Sequence, residues 1–380
     1  MIAVDARFIT KSLDGMGRYT LNLLEGIRRL GPAERILLLA GEQTCLPKSI
    51  AECSSFRRVH VKVARPGLID QVFLPPLLRR EGVDLFFTSD ALAPMYSGCR
   101  TVITLHDVIP LACRKHLWAS RKAQMAPLWK AWLQAQCRAA EAVVTVSHHS
   151  AEDIHRLLGV PRNKLRVIYN GVGIESGPLV SSGVMERFGL DAPFILCVGR
   201  CDPYKNLPML VKAYFLARAR LAGPLRLVIA GHRDARYPEA EEEAARLQLG
   251  ADVVFTGVLD ERDLCRLYRA ASLLAFPSLY EGFGLPPLEA MSLGVPVVAS
   301  NRTSVPEVCG DAALLADPLD AQAFAGAMVR VLANPEVAAD LRRRGSARAA
   351  HFTPERQAQQ TLAVCQDVRA SGLAKGLLPS

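Results

Sequence analysis

The sequence predicts an α/β protein made of two domains, each a mostly parallel sheet with helices on both faces. Three observations predict it. The chain has 380 residues, more than one hydrophobic core ordinarily organises. Short apolar, β-branched runs alternate with helical stretches through both halves. A Gly/Ser-rich break, NGVGIESGPLVSSG at residues 170–183, separates the halves.

In the first half IAVDARF, ILLLA, VDLFFTS, RTVITLHD, AVVTVS and KLRVIYNG read as strands. In the second half the strands are PFILCVG, LRLVIAG, DVVFTG, LLAFPS and PVVAS. These runs are apolar nearly throughout, as buried parallel strands are. Helices are expected from about Lys115 to Ala140 with a break near Pro127, from Pro208 to Ala219, and from Glu261 to Ala271. Thr353 followed by Pro354 marks the start of a final helix. The expected division is 1–172, 184–352 and a closing helix over 353–380. Two such domains would face each other across a cleft, with ligands beyond the carboxyl ends of the strands.

Half of the residues are hydrophobic, so each domain can bury a core and disorder is not expected. No apolar run reaches the roughly 18 residues of a membrane-spanning helix, and the start MIAVDARFIT does not read as a signal peptide. The ten cysteines form no CxxC pair and no zinc-spaced cluster. Reduced thiols in a cytoplasm fit this usage better than a secreted disulfide framework. Charge is uneven: residues up to Asn170 hold 24 Lys+Arg against 14 Asp+Glu, leaving 22 against 23 for the rest. An excess of that kind suits an anionic partner of the first half, or a basic surface that serves only solubility.

The strongest motif is Glu281-Gly-Phe-Gly-Leu-Pro-Pro-Leu-Glu289, directly after LLAFPS. Gly282 and Gly284 let backbone approach a ligand closely, and Pro286 and Pro287 suit the first turn of a helix. A glycine turn leading into a helix N-terminus suits a diphosphate. Two carboxylates at this spacing could serve the sugar and the ribose of a nucleotide sugar. The plain alternative is a helix start whose dipole favours acidic residues. Upstream, Arg200 and Lys205 follow the second half's first strand in VGRCDPYKN, placed to clamp a diphosphate and stabilise a leaving group. As a bare pair they would be solvated cations. In the first half, Asp14-Gly15-Met16-Gly17-Arg18 reads as a glycine loop, a weak signal alone. His106-Asp107 closes the strand TVITL; a lone histidine there is as readily structural as catalytic.

The chain resembles the retaining family 4 glycosyltransferases, which have the GT-B fold of two Rossmann-like domains. The similarity runs through GMGRYT, LHDVIPL, VVTVS, IYNGV, VGRCDPYKNL, FTGVL and PSLYEGFGLPPLEAMSLGVPVVASNRTSVPEVCGDAALLADP. It implies that Arg200 and Lys205 bind the donor diphosphate. Glu281 would contact the donor sugar, with the backbone of Gly282, Phe283, Gly284 and Leu285 around diphosphate and sugar. Glu289 would hold the ribose, His106 the sugar at the reaction centre, and Gly15 and Gly17 the phosphates. Thr256, Gly257, Val258 and Leu259 would pass near the nucleobase. Front-face attack, assisted by the leaving phosphate, would give retention. Two departures stand out: Gly173 replaces the Asp usual after NGV, and Pro354 replaces an aromatic common before the last helix.

No Asp-x-Asp triplet is present, so activity without a metal or other cofactor is expected. Trp118, Trp129 and Trp132, the chain's three tryptophans, lie among Arg114, Lys115, Arg121, Lys122 and Lys130, with no acid between Asp107 and Glu141. A basic segment with Trp suits an acceptor or an anionic membrane face; core tryptophans beneath a solvated basic surface are the alternative. That would place the protein in the cytoplasm, peripherally on the inner face of the plasma membrane, with a glycan or a polyprenyl-diphosphate-linked saccharide as acceptor. GMGRYT with LHDVIPL looks most like bacterial mannosyltransferases of polysaccharide and O-antigen assembly. GDP-mannose is therefore the first expected donor, ahead of UDP- or dTDP-sugars. A non-catalytic nucleotide-sugar-binding subunit and a sugar-nucleotide epimerase are the competing readings. Nucleic-acid binding lacks any helix-turn-helix, zinc-finger or RNP signature, and hydride transfer lacks a GxGxxG between strand and helix.

Overall fold

The computed structural model describes residues 1–11, 14–32, 34–63, 66–114, 117, 120–173 and 183–375. The chain divides into two units: unit 1 comprises Met1–Ala112, Met125–Gly171 and Phe352–Ser380, and unit 2 comprises Cys113–Gln124 and Val172–His351. Cys113–Gln124 thus groups with unit 2, a correction to the simple division by sequence order. Such grouping is decided by tertiary contact and not by position along the chain.

Unit 1 contains a seven-stranded sheet of β1 (Ile2–Asp5), β2 (Ile36–Ala40), β3 (Phe56–His60), β4 (Leu85–Thr88), β5 (Arg100–Thr104), β6 (Ala142–Thr145) and β7 (Leu165–Val167). The order is β3-β2-β1-β4-β5-β6-β7, and each neighbouring pair is parallel. Unit 2 contains β8 (Phe194–Val198), β9 (Arg226–Ala230), β10 (Val253–Gly257), β11 (Leu273–Phe276), β12 (Val297–Ser300) and β13 (Leu314–Ala316). Their order is β10-β9-β8-β11-β12-β13, again parallel throughout. Both are doubly wound sheets. The predicted strands lie where the apolar runs placed them, and β3 and β13 are additions. Strand β3, FRRVH, is a half-exposed edge strand, so it lacks the continuous apolar run of a central strand. Strand β13 has only three residues.

The helical stretch expected from Lys115 to Ala140 with a break near Pro127 is present over a shorter span, from Arg121 to Ala139. One helical turn covers Arg121–Gln124, and a helix covers Ala126–Ala139 with Pro127 in its first turn. The break expected near Pro127 falls at Met125, and Pro127 sits in the first turn of the helix that follows, where its missing N–H is an orphan in any case. The final helix, Pro354–Lys375, starts at Thr353, whose Oγ1 accepts from the Arg356 N–H at 3.2 Å. It packs in unit 1 on the helix Gly15–Leu30, where a Cβ on Gly26 would lie 1.9 Å from the Pro354 carbonyl oxygen. Only glycine allows that approach. Asn22 donates to the Gly171 carbonyl at 2.6 Å, and Gln357 accepts from the Gly171 N–H at 2.9 Å, which fixes the end of β7's following loop.

Gly26→Ala should destabilise unit 1 by roughly 1–3 kcal/mol through overpacking. Gly326→Ala, with open space around its position in the helix Ala321–Ala333, should instead stabilise unit 2 by up to about 1 kcal/mol. Urea unfolding of the two variants checks the contrast; equal stability would contradict the close helix contact.

Candidate functional site

In unit 2 the first strand of the sheet, β8, lies beside the fourth, β11, with Ile195 opposite Leu273. Chain order reverses between them, and in doubly wound sheets ligands bind beyond the strand ends at that point. Both loops leaving these strands carry predicted site residues. After β8 the chain turns through Gly199, Arg200 and the short turn Pro203–Lys205 to Asn206, whose φ is 60°. Asn206 Nδ2 donates to the Pro318 carbonyl at 2.6 Å, and the Leu279 N–H donates to the Tyr204 carbonyl at 2.7 Å. The loop after β8 is thereby stitched to the loop after β11.

Across that seam Lys205 Nζ donates to Glu281 Oε1 at 2.6 Å. The two side chains retain only 14% and 10% of their exposure. Lys205 Nζ also lies 5.3 and 5.4 Å from the ring centres of Tyr204 and Phe276, close enough for the cation to feel both ring faces. Arg200 is exposed, and its Nε donates to Asp202 Oδ2 at 3.0 Å. Lys205 and Glu281 are thus brought together, while Arg200 stands at the solvent edge of the same loop.

Gly282, Phe283 and Gly284 are buried, and Gly284, with φ 115°, precedes the helix Leu285–Ser292 with Pro286 and Pro287 in its first turn. Glu289 on this helix is 8% exposed and accepts from the Tyr268 hydroxyl at 2.7 Å. On the other side of β8, the loops after β9 and β10 close up. The Gly199 N–H donates to the Ala230 carbonyl at 2.9 Å, and the Gly231 N–H to the Gly257 carbonyl at 3.0 Å. A Cβ on Gly231 would come within 1.9 Å of the Gly199 oxygen. Thr256 and Leu259 are half-buried and Val258 is exposed.

Sequence reasoning missed three positioning side chains. Thr303 Oγ1 accepts from the Glu281 N–H at 3.1 Å, and Ser304 Oγ lies 3.0 and 2.8 Å from the Glu281 and Phe283 carbonyl oxygens. Tyr268 supports Glu289 as described. Thr303 has φ 57°, an uncommon conformation for a β-branched residue and one associated with functional sites. Nothing in a sequence announces a strained φ or a tyrosine that reaches from a neighbouring helix.

In unit 1, Gly15 and Gly17 belong to the first turn of the helix Gly15–Leu30, with Asp14 Oδ1 accepting from the Gly17 N–H at 2.8 Å. The expected glycine loop is therefore a capped helix start, because Asp14 is a strong N-cap. His106 Nε2 donates to the Ser89 carbonyl at 3.0 Å, and its ring meets Tyr19 edge-on at 4.8 Å between centres. Burial holds the His106 pKa below its ordinary value, so the imidazole is neutral at neutral pH. With Nε2 carrying the proton, Nδ1 is left as an acceptor. Thr20 Oγ1 lies 2.8 Å from Ser89 Oγ, tying the helix start to the same strand end.

Two models of known families cover most of the chain: "Glycosyltransferase Family 4" over residues 13–176 and "Glycosyl transferases group 1" over residues 185–348. The O-antigen chain mannosyltransferase B of Escherichia coli is 30% identical over 92% of this chain and 95% of its own length. The chain belongs to glycosyltransferase family 4. A serotype-specific mannosyltransferase WbdA of Escherichia coli is 31% identical over 67% of the chain, which spans only 32% of that longer protein. Among solved structures, sucrose-phosphate synthase from Thermosynechococcus elongatus has a TM-score of 0.74 at 24% identity, covering 97% of this chain and 99% of that one. HepE of Anabaena in complex with UDP and glucose has a TM-score of 0.71 at 19% identity, covering 96% and 99%. These likenesses establish the GT-B class of fold and a glycosyltransferase.

The tryptophan segment of this family 4 chain is described in part. Trp129 is half-buried and packs on the core of unit 1, and Trp132 is half-buried. Arg114, Lys122 and Lys130 are exposed. Lys115, Trp118 and the side chain of Arg121 lie outside the described residues. The Trp129 indole thus packs against apolar neighbours, as its large apolar area favours. Among the described residues no cluster of three or more His, Cys, Asp or Glu is placed to hold a metal, and no helix is long and apolar enough to cross a membrane.

Lys205→Met should destabilise unit 2 by roughly 3 kcal/mol by leaving a buried carboxylate without its cation. Adding Glu281→Gln should recover at least half of that loss in the same urea titration; no recovery would show that the two side chains do not act as a pair. For His106, the unfolded chain takes up a proton before the folded one as pH falls. The stability held by the neutral ring is therefore complete above the unfolded pKa of about 6.5 and is lost as pH falls below it. His106→Gln should flatten the pH dependence of unfolding below about pH 6.5; an unchanged slope would contradict the burial-driven shift.

Proposed function

We propose that this glycosyltransferase moves mannose, with retention of configuration, from GDP-mannose to a glycan or lipid-linked saccharide acceptor in polysaccharide or O-antigen assembly. The observation that carries this reading is the Lys205–Glu281 pair at the chain reversal of unit 2, beside a glycine turn and a helix start. A buried ammonium can exchange its carboxylate partner for a diphosphate, and the helix N-terminus adds to the positive potential there. Mannose is favoured by the names of relatives that match over most or much of the chain, two O-antigen mannosyltransferases and an MMP alpha-(1->4)-mannosyltransferase from Mycolicibacterium hassiacum.

In this reading Arg200 and Lys205 neutralise charge on the departing nucleoside diphosphate. Glu281, freed from Lys205 by the diphosphate, accepts hydrogen bonds from donor-sugar hydroxyls. The backbone of Gly282, Phe283, Gly284 and Leu285 lies along diphosphate and sugar, and Thr256 to Leu259 along the base. Glu289, held by Tyr268, accepts from the ribose hydroxyls. His106 accepts from a sugar hydroxyl through Nδ1, and Gly15 and Gly17 face phosphate. The bond from the anomeric carbon to phosphate breaks as the acceptor oxygen bonds to the same face. The acceptor proton passes to the departing phosphate oxygen. No step requires a metal.

A thermal-shift panel of GDP-, UDP-, dTDP- and ADP-sugars tests the donor, because only a ligand of the folded state raises its apparent stability. GDP-mannose should stabilise the wild type, and Glu289→Ala should abolish the shift. With a 2′-deoxy nucleotide, wild type and Tyr268→Phe should bind alike, whereas Tyr268→Phe should lose about tenfold with the ribonucleotide, as a missing hydrogen bond to a charged group implies. Activity should survive EDTA, and the product anomer, read by NMR, should match that of the donor. Transfer only from another nucleotide sugar would replace the donor assignment. Binding without turnover on any acceptor would favour a non-catalytic subunit.

A further inference from the structure

At the amino ends of β4, β5 and β6, unit 1 forms a cavity of about 500 Å³, a volume typical of small-ligand sites. Asp84 directly precedes β4, Arg100 opens β5 and Glu141 directly precedes β6. Three adjacent parallel strands thus each deliver a polar group to the cavity. His106 follows the other end of β5. At roughly 3.3 Å per strand residue the two ends of this strand lie about 15–20 Å apart. The cavity is therefore distinct from the strand end that carries His106.

The loop between β4 and β5 makes the rim, and it is braced from within. Ser97 Oγ donates to the Cys99 carbonyl at 2.6 Å and lies 3.1 Å from Thr101 Oγ1. The Met95 N–H donates to Gln71 Oε1 at 2.9 Å, which ties the loop to the helix Asp70–Arg80. Gly98 turns the chain with φ 76°. Tyr96 stands between these contacts and is 89% exposed. Its ring offers a large contact area with a polar tip, and a braced loop loses little entropy when a ligand covers it.

The charges at the cavity compensate one another. Asp84 Oδ2 accepts from the N-terminal ammonium at 2.7 Å and from Arg369 at 2.9 Å. Arg100 Nη1 donates to the Val368 and Arg369 carbonyls of the final helix, and Glu141 Oε2 accepts from the Thr101 N–H at 2.6 Å. Asp84 Oδ1 and Glu141 Oε1 stay outside these bonds. That balance singles out neither an anion nor a cation, and among the described residues no group of three or more His, Cys, Asp or Glu could hold a metal. A neutral ligand rich in hydroxyls fits it. The hydroxyls donate to the two carboxylates in charge-assisted hydrogen bonds, while C–H faces gain dispersion contacts on the Tyr96 ring. We propose that this cavity binds a saccharide, a non-reacting stretch of the acceptor glycan held away from the transfer site. The ligand class stands on the cavity's own chemistry, and its assignment to the acceptor rests on the proposed reaction.

The test is saturation-transfer NMR of the full chain with linear pentasaccharides of mannose, of glucose and of galactose. At least one should bind the wild type. Tyr96→Ala should weaken that binding roughly fivefold, as loss of an aromatic contact implies, and Tyr96→Phe should retain it. Glu141→Gln keeps an oxygen for the Thr101 N–H and should weaken binding severalfold. Tyr96 is exposed, so thermal unfolding and the thermal shift with GDP-mannose should be the same in wild type and Tyr96→Ala. Saccharide binding needs no nucleotide, so a failed donor assignment leaves this readout intact. Absence of binding by all three pentasaccharides would overturn the proposal. So would equal binding by wild type and Tyr96→Ala, which would place the saccharide elsewhere on the chain. A wild-type dimer seen by light scattering, broken by Tyr96→Ala and with no saccharide bound, would overturn it in favour of self-association.

Discussion

A lysine ammonium and a glutamate carboxylate, both nearly buried, meet where the sheet of unit 2 reverses its order. Burying such a pair is costly unless the geometry is good and the remaining valences are filled. The surrounding loops supply that geometry. The Tyr204 carbonyl holds the Leu279 N–H, Asn206 holds the Pro318 carbonyl, and Thr303 and Ser304 hold the main chain of Glu281 and Phe283. Each contact joins loops from different strands, so the site is a property of the sheet end as a whole. The close passage of Gly231 by Gly199 belongs to the same constraint: loops packed this tightly leave little freedom for the groups they carry.

Unit 1 uses a buried ion cluster for a different purpose. Arg7 is inaccessible and satisfied by two carboxylates, Asp5 at the end of β1 and Asp70 at the start of a helix. Together the two carboxylates raise its already high pKa further, against burial, which acts the other way. A cluster so fully paired has no valence left for a ligand. Its effect is to fix the start of the helix Asp70–Arg80 against β1. Lys205, by contrast, pairs with the Glu281 carboxylate on a loop of glycines, an arrangement that can exchange partners.

The apolar runs made eleven strands legible: nine are central strands buried on both faces and largely apolar, and the edge strands β7 and β10 still carry apolar runs. Strand β3 escaped notice because its Arg57, Arg58 and His60 lie on an exposed edge. The motif from Glu281 to Glu289 is legible because Gly282, Gly284, Pro286 and Pro287 act through local backbone geometry, which is written in consecutive residues. Gly15 and Gly17 were read as a loop because glycine permits both a turn and a helix start; Asp14, which caps the helix, was the deciding signal. The basic residues around the tryptophans leave two readings open, an outward face or a core beneath a solvated surface, and Trp129 packs on the core. Local charge says nothing about which face of a segment finds a core.

What the sequence by itself determined is therefore what depends on near neighbours. It set the two α/β sheets, the glycine-proline turn into the helix Leu285–Ser292, the cap at Thr353, and the family 4 motifs. The tertiary structure decided which side chains meet. Lys205 and Glu281 are 76 residues apart, Tyr268 reaches Glu289 from a different helix, and Arg7 bridges to Asp70 across 63 residues. Such pairs exist only once the strands are in register, because hydrogen bonds and ion pairs act over a few ångströms and sequence separation carries no record of distance in space.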